Sequence, residues 1–218
     1  MDFNKTALLL IDLQKEEGTS EIEDMGGILK RASKLIEDCR EKGIPIIYTR
    51  HINRADAGGL AAGEPLDENG EPIYYHSKTS SIEIADEITP AQGDIIIDKY
   101  RYSGFYESNL ELVLKNLGMK HLVVGGVLTD CCVLSTVMDA YYRDYQVNIV
   151  KDICGTTSEG AHMASILMMA NWIYNLQIYD TDQFRNMMNG DGYEVWETDN
   201  PDELPFTPEN IRKIYSRL

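Results

Sequence analysis

Cysteine is scarce in this chain: four residues in 218, irregularly spaced, two of them adjacent. That pattern excludes a disulfide framework and a structural zinc site, which need regularly deployed pairs. A reducing, cytoplasmic setting is therefore expected. Long apolar runs are missing too, and none approaches the roughly 20 residues of a membrane-spanning helix. The opening Met1-Asp2-Phe3-Asn4-Lys5 leads straight into a strand-like run and has no signal-peptide pattern. Positive charge is in deficit: 20 Lys and Arg against 36 Asp and Glu leave a net charge of −16. Such a field repels phosphate, so neither nucleic acid nor an anionic membrane surface is an expected partner. An anionic substrate would need a local basic cluster to override it. Internal repeats and low-complexity segments are absent as well.

What is present is a rhythm. Thr6 to Leu13 is a short apolar run, as expected of a strand covered on both faces. Residues 26–42 place Ile28, Leu29, Ala32, Leu35, Ile36 and Cys39 on one helical stripe, which Gly43 ends. Strands are predicted over 44–49, 94–99, 121–127, 147–151 and 176–179, with helices over 108–117, 132–145 and 160–174. Strand–helix alternation predicts an α/β fold: a three-layer α/β/α arrangement around a parallel, Rossmann-like sheet of five or six strands. The long section from about 50 to 93, rich in Gly, Pro and charge, is an expected lid or insert. Residues 1–182 are taken as one domain. Residues 183–218 are a polar tail whose Thr207-Pro208-Glu209 opens a short helix over 208–217. That helix and the methionine-rich one carrying Met163, Met168 and Met169 are candidate contact surfaces for an oligomer, or simply pack within the chain.

In open α/β sheets, ligands bind at the carboxyl ends of the strands. Asp12 interrupts the first apolar run near its end, Asp98 and Lys99 close the third strand, and Asp130, Cys131 and Cys132 follow the fourth. A lone buried carboxylate is costly, and Lys99 is a candidate to relieve Asp12. A thiol in the first turn of a helix sees unpaired N–H groups and the positive end of the dipole, which favour its thiolate. Carboxylate, ammonium and thiol at one sheet edge can serve as base, charge stabiliser and nucleophile. The residues alone leave open which of the two cysteines reacts, and whether either does rather than filling the core.

Three separated stretches carry a family resemblance. Ala7-Leu8-Leu9-Leu10-Ile11-Asp12-Leu13-Gln14, Asp98-Lys99-Tyr100-Arg101-Tyr102-Ser103-Gly104-Phe105 and Gly126-Val127-Leu128-Thr129-Asp130-Cys131-Cys132-Val133 resemble, in order, the three motifs of the isochorismatase-like cysteine hydrolases. That superfamily includes nicotinamidases, N-carbamoylsarcosine amidases and ureidoacrylate amidohydrolases. The resemblance implies Asp12, Lys99 and Cys132 as catalytic residues, with Cys132 rather than Cys131 as nucleophile. It also implies a cis peptide after Val127, with the N–H groups of Leu128 and Cys132 forming an oxyanion hole. The expected activity is cofactor-independent hydrolysis of a C–N bond in a small ureido, N-carbamoyl or primary amide compound, through a covalent intermediate on Cys132. A nicotinamidase-like deamidase, or a silent binding member of the family, are the alternatives. A homo-oligomer, dimer or tetramer, is expected from the resemblance.

No metal is expected. Thr49-Arg50-His51-Ile52-Asn53-Arg54-Ala55-Asp56 lacks the aspartate–histidine metal motif of nicotinamidases, and His76 is far along the insert. Arg50, Arg54 and Arg101 are candidates for the local basic cluster. His51 is expected at the pocket rim, with Arg101, Tyr102 and Phe105 among the substrate-binding residues and Tyr100 and Tyr106 as further walls.

Overall fold

The first strand, β1 (Thr6–Ile11), is the axis of the fold, and every one of its residues is buried. Its side chains alternate between two cores: Ala7, Leu9 and Ile11 enter one layer, Leu8 and Leu10 the other. A continuous apolar run is the composition such a two-sided strand demands. α1 (Met25–Glu41) turns its predicted stripe, Ile28 to Cys39, into the second layer. The computed structural model describes residues 1–16, 19 and 21–218.

The remaining elements are β2 (Ile46–His51), β3 (Ile95–Lys99), α2 (Leu110–Asn116), β4 (His121–Val127), α3 (Leu134–Tyr141), β5 (Gln146–Gly155), α4 (Glu159–Trp172), β6 (Gln177–Tyr179), α5 (Thr181–Asn189), β7 (Trp196–Glu197) and α6 (Ile211–Tyr215). The sheet has seven strands in the order β3-β2-β1-β4-β5-β6-β7, parallel throughout except for β7. The extra strand beyond the expected five or six is β7; two residues carry no alternation that a sequence pattern could register. The chain winds outward from β1 to β3 and then returns to lay β4 on the other side of β1. The switch point of this sheet therefore lies between the carboxyl ends of β1 and β4, where a crevice is expected.

Gly126 makes that closure possible. Its φ is +134°, and a Cβ there would stand 2.1 Å from the carbonyl oxygen of Ile11. Only glycine lets the end of β4 come this close to β1, one residue before Asp12.

The section between β2 and β3 is folded onto the domain. It is stitched by short bridges, Gln14 to Ile84 and Asn53 to His76, and it buries Ile84, Ala85 and Ile88 in the layer beside α1. The C-terminal region is likewise integral. The expected boundary at residue 182 falls inside α5, whose Phe184 and Met188 are buried and whose Arg185 pairs with Asp38 of α1. Further on, Asn171 of α4 holds Leu204 by both backbone groups, at 2.9 and 3.1 Å. Short, polar-flanked apolar positions such as Phe184 and Leu204 read as tail in sequence because each gains its burial from distant elements. Met163 and Met169 are core, while Met168 is exposed. Among the described residues, no helix is long and apolar enough to cross a membrane.

Candidate active site

Four strand ends deliver the candidate chemistry. Directly after β1 the chain enters the left-handed region at Asp12, with φ of 50°. Thr49 of β2 secures that turn: its hydroxyl accepts from the Asp12 N–H at 3.2 Å and donates to Asp12 Oδ1 at 2.6 Å. Gln14 fixes the next step with a reciprocal amide clasp on His51, donating to its carbonyl at 3.0 Å and accepting from its N–H at 2.7 Å. In the β2–β3 register His51 lies beside Lys99. β4 ends in a cis peptide between Val127 and Leu128. It is followed by a π-helical turn, Thr129–Val133, that carries both adjacent cysteines into α3.

These pieces converge. Lys99 Nζ lies 2.6 Å from Asp12 Oδ2, and both side chains are essentially inaccessible to solvent. The same ammonium is 3.5 Å from Cys132 Sγ, 3.2 Å from His51 Nδ1 and 3.0 Å from the carbonyl oxygen of Arg101. Burial works against the Lys99 charge, but Asp12 and Cys132 outweigh it and hold its pKa above the ordinary lysine value. Burial, reinforced by the Lys99 charge, lowers His51 to about 4. His51 is thus neutral at physiological pH and accepts from Lys99 through Nδ1. The neighbouring thiols act on each other so that Cys131 is lowered and Cys132 raised, burial adds to the rise at Cys132, and Lys99 favours negative charge on both.

Asp12, His51 and Cys132 offer ligand atoms that all lie within 4.8 Å of one another. That donor set suits a borderline-soft cation, but the Lys99 ammonium already sits within contact distance of all three groups. A metal ion would face a like charge at its centre, so the cluster is filled by its own lysine.

The expected rim and wall residues are distributed differently. His51 is buried in the cluster, its ring 4.9 Å from that of Tyr75, rather than standing at a rim. Arg50 points to the other side of β2 from Thr49 and His51, where it forms a two-pronged pair with Asp98 at 2.8 and 3.1 Å. Arg101 places its carbonyl on Lys99, while its guanidinium donates to the carbonyls of Gly59 and Tyr100 at 2.7 and 2.6 Å. Phe105 is a core residue, not a pocket wall. It stacks on Tyr145 at 5.9 Å under the guanidinium of Arg143, because an aromatic side chain outside a charged loop finds its area in the core. Tyr102 is 61% exposed, and its phenol feels the negative charge of Cys131 and Cys132. Thr49, Gln14, Tyr75 and Glu64 complete the surroundings and were not singled out from sequence. Gln14 alone offered a signal, as a polar residue closing an apolar run.

The architecture defines a class: a doubly wound parallel sheet with an acid, an ammonium and a thiol gathered at its switch point. Solved structures share this fold. A cysteine hydrolase from Pseudomonas syringae pv. phaseolicola superposes with a TM-score of 0.75 at 20% identity, over 87% of this chain and 95% of that one. N-carbamoylsarcosine amidase from Thermoplasma acidophilum does so at 0.65 and 24% identity, over 82% and 97%. In sequence, the ureidoacrylate amidohydrolase RutB of Pseudomonas syringae pv. syringae is 29% identical over 169 residues, which are 65% of this chain and 66% of that protein. The match thus spans about two thirds of this relative's length. The isochorismatase domain model matches residues 6–181, and the chain belongs to the isochorismatase family of hydrolases.

Proposed function

We propose that this protein is a cysteine-dependent amidohydrolase that cleaves a C–N bond in a small ureido, N-carbamoyl or primary amide compound. One observation carries the reading: a fully buried lysine bridges Asp12 and the Cys132 sulfur, at 2.6 and 3.5 Å. A buried ion pair is a poor source of stability, whereas an ammonium beside a thiol is a direct way to make a thiolate. The names of the relatives, ureidoacrylate amidohydrolase and N-carbamoylsarcosine amidase, support the bond type.

The roles follow from position. Asp12 takes the Cys132 proton while Lys99 stabilises the thiolate. Sulfur attacks the carbonyl carbon, and the oxyanion rests on the N–H groups of Leu128 and Cys132. The C–N bond breaks as Asp12 returns the proton to the leaving nitrogen. Water then attacks the thioester or thiocarbamate, giving its proton to Asp12. The C–S bond breaks, and Asp12 hands that proton back to the sulfur. His51, held neutral, accepts from Lys99 and orients it.

The test is ammonia release from a panel of ureides, carbamoyl compounds and primary amides by the wild type and by Cys132→Ser, with circular dichroism to confirm folding. Loss of turnover with an intact fold is expected, and near-normal turnover in the variant would sink the proposal. A silent binding protein would show no release in either form.

A further inference from the structure

Among the described residues, the local basic cluster that an anionic substrate would require does not form. Arg50 is committed to Asp98 on the far face of β2. Arg54 is held by Asp56 at 2.9 Å, Lys78 lies 3.4 Å from Glu71, and Lys15 sits between Glu83 and Asp86 at 2.9 and 2.8 Å. The Arg101 guanidinium faces a separate cavity of about 400 Å³ whose lining, from Arg54 and Gly58 to Tyr106 and Glu107, includes none of Asp12, His51, Lys99 or Cys132. The Lys99 charge is met by Asp12.

Carboxylates, in contrast, are left over. Glu16 is buried and accepts the N–H of Tyr75 at 2.7 Å, directly behind the ring that lies against His51. Glu64 is gripped by the Asn53 amide at 2.6 Å and the Ala61 N–H at 3.2 Å, and Asn53 follows His51 by two residues. Among the described residues, neither glutamate pairs with a cation. Asn53, which holds Glu64, donates its own N–H to the carbonyl of Tyr75 at 2.8 Å, and the Tyr75 ring lies against His51. One carboxylate is thus clamped in the insert, next to the residues that pack on the site, and its charge is felt at His51 and at the phenol of Tyr102.

We propose that the site selects neutral or cationic ureides and amides and rejects carboxylate-bearing ones, with Glu64, clamped by Asn53 and Ala61, as the specificity-determining residue. This rests on the reading of Cys132 as the reacting sulfur. It separates this chain from relatives whose name specifies ureidoacrylate, itself a carboxylate. A fixed like charge near a partly enclosed sulfur lowers the local concentration of anions and raises that of cations, an effect that salt weakens.

The experiment needs no substrate. Methanethiosulfonate reagents bearing a sulfonate, no charge or a trimethylammonium group report access to one sulfur, with modification at Cys132 followed by peptide mass spectrometry. Rates are normalised to those with 2-mercaptoethanol. The cationic reagent is expected to outpace the anionic one by about tenfold at low ionic strength, with the gap closing as salt rises. Glu64→Gln, which keeps the shape and an oxygen for the Asn53 amide but removes the charge and the acceptor of the Ala61 N–H, should shrink that gap at least about threefold and move the neutral reagent least. Equal or faster reaction of the anionic reagent in the wild type overturns the proposal, as does a gap that Glu64→Gln leaves unchanged. Failure of the hydrolase reading would instead show as turnover surviving Cys132→Ser, a separate readout.

Discussion

Two regions along this sheet hold the same four residue types. Just beyond β1, at the last residues of β2 and β3, and beyond β4 stand Asp12, His51, Lys99 and Cys132. On β5 and the nearby α4 stand Lys151, Asp152, Cys154 and His162, lining a cavity of about 410 Å³. The second set lines that open space, yet its members are engaged with other groups. Lys151 leans 3.5 Å from Asp180 and over the Tyr215 ring, and Asp152 accepts from the N–H and hydroxyl of Thr181 at 2.8 and 2.7 Å. Cys154 is sealed in, its thiol pushed up to about 12 by burial. His162 is bonded to Thr129 and Tyr215, 2.9 Å from each. The difference lies in convergence: one ammonium touching a carboxylate, an imidazole and a sulfur makes a reactive group, while the same inventory, each member engaged by a different neighbour, makes a set of separate structural contacts.

The sharpest way to test this contrast is chemical. At pH 8 a thiol with a pKa near 12 is ionised to about one part in ten thousand, against roughly a tenth or more for an ordinary cysteine. Cys154 and Cys39, the latter also raised to about 12 by burial, should therefore alkylate at least about a thousandfold more slowly than the Cys131–Cys132 pair. Peptide mapping after timed iodoacetamide exposure checks this. Comparable rates at all four would erase the distinction between the two regions.

Next in size is the removal of each lysine. Lys99→Met strands Asp12 in a place where neither side chain meets solvent. Breaking a buried pair this way costs about 3–5 kcal/mol, read as a fall in the urea midpoint. Lys151→Met removes a pair whose carboxylate is half exposed, and the expected loss is within about 1 kcal/mol. Equal losses would mean that Lys99 is not the keystone its contacts imply.

How much of this contrast was legible beforehand depends on the range of the interaction. Asp12, Lys99 and the Cys131–Cys132 pair stood out because each breaks a local pattern: an acid in an apolar run, a charge closing a strand, thiols opening a helix; the choice of Cys132 within the pair came from the family resemblance. The parallel sheet was legible for the same reason, through apolar runs at strand length. Thr49, Tyr75 and Glu64 were silent, since a threonine inside a strand or a glutamate in a charged loop becomes informative only when a partner far along the chain is placed against it. Arg50 misled because a strand reverses its faces at every residue: Thr49 and His51 point into the site, so the arginine between them cannot. β7 and the burial of Leu204 escaped because two-residue pairings and single apolar anchors leave no periodic trace.

Acid acts on both regions, since burial lowers His162 as well as His51, and substitution of His51 isolates the first. His51 is pushed down to about 4, so between about 6.5 and 4 the unfolded chain binds a proton there that the folded protein refuses. Its neutral form contributes stability that is fully present above about 6.5, is lost as pH falls, and levels off below about 4. The span is about 3 kcal/mol as an order of magnitude. His51→Gln should flatten that limb of a pH-dependent unfolding series, and an unchanged limb would place the titrating group elsewhere.

The smallest expected effect concerns the link between the two regions. Thr129, in the turn that carries Cys132, is bonded to His162, and His162 to the Tyr215 hydroxyl of α6, which Arg212 and Glu159 tie to α4. Tyr215→Phe deletes one hydroxyl and keeps the ring over which Lys151 sits. One hydrogen bond of this kind is worth about 0.5–1.5 kcal/mol, so a modest drop in melting temperature is expected. If this chain of bonds carries no chemistry between the two regions, the alkylation rate of the Cys131–Cys132 pair should move by less than about twofold, the scale of about 0.4 kcal/mol at room temperature. A larger change in thiol reactivity would show that the C-terminal helix tunes the reactive turn through this chain of bonds, and the comparison would have to be redrawn as one connected network.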